Sequence, residues 1–300
     1  MRLDAIPRDE MGPIRDLPPS QRVRAASLVK RGAIYDLATV RFPGMPLFPG
    51  HPNLSVLGYR TPSGIRNVGD QPWGPGNEVG LGYMSEVISG TAHTGAHIDA
   101  LAHITIGEDD RWYGGFNARE HLGDFGPLKA DVSALPPIFT RGVLLDVAGH
   151  RGVRSLGKGE AVGAAELQVI ARAEGVEVEP WDVVLVRTGY GSFWPDADAM
   201  AAHRGPGPDL SAAKWLTERG VIATGSDTET YEVQPAPEHG HPRNPQPVHA
   251  HLLIEHGVYI MESLDLETIA EARVYEFLFV GLPTKIRGAT GSMLDPVAVV

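Results

Sequence analysis

The chain has 300 residues, a formal net charge of -11 and no cysteine. That length suits one large domain or two small ones, and the lack of cysteine excludes disulfides, thiolate nucleophiles and Cys-based zinc sites. An acidic balance without a basic stripe argues against nucleic acid and anionic membranes as partners.

Hydrophobic residues make up 42% and charged residues 21%, as in ordinary globular proteins, while 36 Gly and 25 Pro call for many turns. The first residues lack an apolar signal-like core and no apolar run is long enough to span a bilayer, so a cytoplasmic location is the default expectation.

Residues 1–31 read as an N-terminal arm, with a helix expected over 19–31 (QRVRAASLVKR). A single domain is expected over 32–300. It begins with a strand in AIYDLATV, followed by the Pro/Gly-punctuated loop FPGMPLFPGHP. Residues 59–79, which include Trp73, read as loop. MSEVISGTAHTG is extended. RGVLLDVAG (141–149) and WDVVLVRTGY (181–190) are apolar, β-branched and bounded by turn residues, as buried strands are. Between them GAAELQVIARAEG has helical periodicity ending at Gly175.

A second helix is expected over 209–220, with Asp209 as N-cap and Gly220 just past its end. Then come strand plus loop in GVIATGSDTE, a short helix in VHAHLLIEHG ending at Gly257, a strand in VYIMESL and a late strand over 274–286. Strands with a few helices between them make one α/β or α+β domain with no internal repeat.

One stretch carries chemistry. TAHTGAHIDALAHI (91–104) places His93, His97, Asp99 and His103 within eleven residues, in a chain with only 12 histidines. In an extended segment, residues two apart share a face, so His97 and Asp99 project together. A turn at Thr94-Gly95 brings His93 beside them, and a turn after Ala100 brings in His103. Small residues between the ligands let the backbone come close. Imidazoles with a carboxylate suit Zn, Mn or Fe rather than Ca. Separate, unrelated histidines are the bland reading, and the density of ligands weighs against it.

HTGAHIDALAH resembles the signature of the metal-dependent cyclase/kynurenine formamidase family, H-[ST]-G-[TS]-H-x-D-x-P-x-H. DLATVRFPGMPLFPG, VLVRTGYGSFW and HLLIEHGVYIMESLDLE are similar to further family segments. Ala96 stands where Thr or Ser is usual and Leu101 where Pro is usual; neither is a metal ligand. The resemblance implies a swivelling β/β/α fold, a mixed sheet with flanking helices, a small-molecule substrate and a homodimer or larger homo-oligomer.

It also implies one or two divalent ions, Zn or Mn. His93, His97 and Asp99 would hold the first, and Asp99, His103 and Glu262 the second. The catalytic histidine would be His249, with His251 as the alternative and Glu262 beside it. The implied reaction is hydrolysis of an N-acyl or cyclic amide by metal-activated water, as in arylformamidases of tryptophan catabolism or in isatin opening. The alternatives are a cyclase or dehydratase acting on a carbonyl substrate, and a non-catalytic metal-binding module.

Other residues were weighed individually. A carboxylate inside an apolar strand is costly unless paired or ligating, which marks Glu262. Asp227 and Glu229 follow a strand, where sites often lie, or else form an acidic surface turn. The insertion 107–127 carries Trp112, Tyr113 and Phe116, either a pocket wall or a small core under a loop. Phe48, Trp73 and Trp194 lie in loops and are candidates for meeting an aromatic substrate. His239 and His241 read as surface loop. GYGS lacks the G-x-S-x-G pattern of a nucleophile elbow, and no phosphate-binding or dinucleotide fingerprint is present.

Overall fold

The computed structural model describes residues 9–70, 73, 76–237 and 243–300; His239 and His241 lie outside them. Eleven strands organise the domain: β1 (Ile34–Asp36), β2 (Ser55–Arg60), β3 (Ser85–Ser89), β4 (His97–Asp99), β5 (Ile138–Asp146), β6 (Val183–Arg187), β7 (Ala223–Ser226), β8 (Tyr259–Glu262), β9 (Glu276–Gly281), β10 (Gly291–Met293) and β11 (Val297–Val299). Nine of them form one mixed sheet, in the order β1-β11-β9-β5-β6-β7-β8-β4-β10. β5, β6, β7 and β8 are mutually parallel, and the pairs on either side are antiparallel.

The parallel centre follows from composition. VVLVR in β6 is buried at every position, as strands covered on both faces are. Four helices matter most: α1 (Pro19–Ala26), α2 (Pro62–Val68), α3 (Ala164–Glu174) and α4 (Leu210–Glu218). α3 packs on α4 and β5, and α1 packs on β5 and β9. Asp209 caps α4 by accepting from the Ser211 and Ala212 amides, and α3 ends at left-handed Gly175, as their sequences predict. No helix among the described residues is long and apolar enough to cross a membrane.

Three expectations change. Residues 59–79 are not all loop, because β2 runs to Arg60 and α2 follows. Thr61 caps α2 by accepting from Gly64, with Pro62 at its first position. The late strand is shorter than 274–286, stopping at Gly281. The short helix before Gly257 begins at Pro247–His249 and continues as π-helix over Ala250–His256.

One half-buried carboxylate away from the sequence motif sets a pH dependence. Glu174, at the end of α3, accepts from the Asp146 amide at 3.0 Å, while its second oxygen is buried with no hydrogen bond among the described residues. Burial pushes its carboxyl up to about 8, against the Asp146 amide hydrogen bond, which favours the charged form. The fold therefore favours the protonated form, and this contribution is lost as pH climbs from the ordinary carboxyl range through about 8. Glu174→Gln is expected to match wild-type melting at pH ~5 and to exceed it by ~2–4 °C at pH ~8.5, for a gain near 1 kcal/mol. A pH-independent difference in melting scans would contradict this account.

Candidate metal centre

The site forms where β4 sits between β8 and β10. His97 and Asp99 share one face of β4. In the antiparallel register Glu262 of β8 lies directly opposite His97, and Gly291 of β10 opposite Asp99. Gly291 leaves the room that His93 uses: a Cβ there would stand 2.5 Å from His93 Cε1. Gly95, at φ 60, makes the turn that returns His93 to the strand. His249 enters from the helix that starts at Pro247.

The donor atoms converge. Asp99 Oδ1 lies 2.8 Å from His93 Nδ1 and 3.7 Å from His97 Nε2, and Asp99 Oδ2 lies 3.9 Å from His249 Nε2. Glu262 Oε2 is 3.3 Å from His97 Nε2, and its Oε1 is 3.2 Å from His249 Nε2. Each imidazole is anchored by its other nitrogen. His97 Nδ1 donates to the Gly95 carbonyl at 2.7 Å, His93 Nε2 meets Thr290 Oγ1 at 3.2 Å, and His249 Nδ1 meets Glu232 Oε1 at 2.5 Å. An outer hydrogen bond of this kind fixes ring and tautomer and turns the free nitrogen inward.

Charge follows the geometry. Burial opposes ionisation of Asp99, yet His103 and His93 hold its carboxyl well below the usual range. Burial likewise works against ionised Glu262, and His249 and His97 keep its carboxyl low. Burial disfavours protonated His97 and His249, but Glu262 raises the first and Glu232 with Glu262 raise the second. The two buried carboxylates thus draw positive charge into the cluster. Both Asp99 oxygens are nevertheless buried without a hydrogen bond among the described residues. Orphaned carboxylate oxygens ringed by inward imidazole nitrogens fit a divalent cation.

The other predicted residues separate into two sets. A narrow cleft, partly open to solvent, lies over the cluster. His103, Phe48 and Trp194 line it, with the His103 ring 4.2 Å from that of His93. Burial lowers the His103 imidazole to about 4. His251 turns away, bonding Thr217 at 3.0 Å and Glu255 at 2.9 Å. Trp112 is buried in the core, its indole donating to the Lys129 carbonyl. Trp73 is exposed and packs on Tyr83. Asp227 is buried, accepts from Thr188 and Gly191, and faces a neighbouring cavity.

His249, rather than His103, joins the donor groups: His93, His97 and Asp99 form one, and Asp99, His249 and Glu262 the other. Sequence reasoning missed Glu232, Thr290 and His51, which lines the cleft with its ring 5.5 Å from that of His93. Only Glu232 left a trace, as a carboxylate in the acidic segment after β7.

The family model described as "Putative cyclase" matches residues 35–233. The chain belongs to the cyclase family. A crystal structure of a novel cyclase shares 25% identity and a TM-score of 0.83, covering 97% of this chain and 96% of that one. Isatin hydrolase A from Ralstonia solanacearum is 21% identical with a TM-score of 0.65, covering 89% and 92%. An isatin hydrolase bound to the product analogue thioisatinate is 18% identical with a TM-score of 0.66, covering 92% and 94%. No curated protein matches the chain. The curled mixed sheet with flanking helices is the fold of this cyclase and of the isatin hydrolases.

Proposed function

We propose that this cyclase-family protein is a metal-dependent hydrolase of an N-acyl or cyclic amide. The observation that carries this reading is the convergence of three imidazoles and the Glu262 carboxylate around Asp99, whose oxygens accept no hydrogen bond among the described residues, under a partly open cleft. His93, His97 and Asp99 Oδ1 would hold one ion, and His249 with Asp99 Oδ2 and Glu262 Oε1 a second. Bound there, a divalent ion supplies a Lewis acid and lowers the pKa of water toward neutrality.

The chain's residues do the rest. Glu232 fixes the His249 ring, so His249 serves as ligand instead of proton carrier. His103, outside both donor groups and kept neutral by burial, is the imidazole free to take a proton and pass it to the leaving nitrogen. Phe48 and Trp194 give the cleft aromatic walls. Structures titled isatin hydrolase share this fold, which favours an aromatic lactam over an open-chain formamide as first substrate.

The test strips the protein of metal and assays isatin and N-formylkynurenine before and after adding back Zn or Mn. Metal-restored product carrying one added water is expected. Loss of water from a carbonyl substrate, or no turnover with either ion, would overturn the hydrolase reading.

A further inference from the structure

One carboxylate of the cleft wall stands apart from the donor cluster. Glu229 lines the cleft beside Thr230, Trp194 and Met200, and is 7% exposed. Arg204 Nε pairs with its Oε1, and neither atom makes a well-directed hydrogen bond among the described residues, so the contact is one of charge. Arg204 is itself held in place. Gly205 beside it has φ 90, and its backbone packs so closely on the Gln234 carbonyl that a Cβ would stand 2.3 Å from that oxygen.

Burial raises the Glu229 carboxyl, while Arg204 and the Tyr190 hydroxyl beside it favour the charged form; a carboxylate has about four acceptor positions, more than these two neighbours fill. Among the described residues, neither Lys nor Arg lines the cleft. A substrate group reaching this side wall would meet Glu229 and no Lys or Arg lining residue. A neutral molecule with an N–H would meet an acceptor.

We propose that Glu229 is a specificity residue that accepts a hydrogen bond from a substrate N–H, which makes the substrate a neutral aromatic secondary amide or lactam. The proposal rests on the hydrolase reading for the reaction, but its recognition half can be tested by binding alone. Arg204 sets the carboxylate's position, and the aromatic walls take the ring. A site that accepts a donor rejects the analogue lacking it, because its buried acceptor is then left unpaired.

The experiment measures calorimetric affinity of zinc-loaded protein for isatin and N-methylisatin, alongside KM and kcat for both. Wild type is expected to prefer isatin by ~10–100-fold, and Glu229→Ala to bring that ratio close to one through KM more than kcat. Glu229→Gln, which keeps an acceptor and suits a protein that tolerates Ala poorly, is expected to retain part of the preference. Equal wild-type affinity for the two lactams, binding of neither, or an unchanged ratio in Glu229→Ala would overturn the proposal. Binding with the expected preference but no turnover would overturn the hydrolase reading and leave the role of Glu229 standing.

Discussion

Asp99→Asn is expected to lose bound metal and to lower kcat/KM by ~10³-fold or more while leaving the fold intact. The two effects separate because of how Asp99 is placed. It is 1% exposed, yet neither oxygen accepts a hydrogen bond from the described residues, so it does little to hold the polypeptide together. Its oxygens instead divide between two sets of imidazoles, Oδ1 toward His93 and His97 and Oδ2 toward His249. An amide keeps one acceptor and replaces the other with a donor that would point at inward nitrogens. It also removes one of the two negative charges that would balance a cation bound among the three histidines. Metal analysis, turnover and melting curves of the metal-free proteins form the check. Wild-type metal content in the variant, or a collapse of the metal-free fold, would show that Asp99 is structural.

The parts of the site that were legible in the sequence are the parts that are local. H-x3-H-x-D-x3-H puts its ligands within eleven residues, and the two-residue strand period alone pairs His97 with Asp99. Glu262 was legible because a carboxylate in an apolar strand needs a reason, and the antiparallel register supplies it by setting Glu262 opposite His97. Central strands and capped helices were legible too, since burial of β6 and the Asp209 cap of α4 are written in consecutive residues.

What remained hidden depends on long-range geometry. β10 is three residues long, and its pairing with β4 is set by tertiary contact rather than by pattern. His249 and His251 sit two residues apart, about 200° around a helix, so one faces the cluster and the other Thr217 and Glu255. Spacing could not say which. The proposed exchange of roles between His249 and His103 likewise turns on where a ring nitrogen points, and a sequence does not carry that.

Glu232 is the residue on which that exchange can be tested. It is fully buried and accepts three hydrogen bonds: from the Val248 amide at 3.1 Å, from the His249 amide at 3.0 Å and from His249 Nδ1 at 2.5 Å. It thus starts the helix and aims its first histidine in one stroke. Glu232→Gln leaves one of these buried donors without an acceptor, at a cost of about 1–3 kcal/mol. The melting temperature is expected to fall by several degrees, at about 2–4 °C per kcal/mol. Weaker orientation of His249 is expected to raise the metal dissociation constant by ~10–100-fold. Here the two roles for His249 part company. If His249 is a ligand, saturating metal restores much of the lost turnover. If it is a proton carrier, metal affinity stays at the wild-type value and kcat remains low however much metal is added. Metal titrations of turnover in wild type and Glu232→Gln therefore decide between His249 and His103 as the residue that moves the proton.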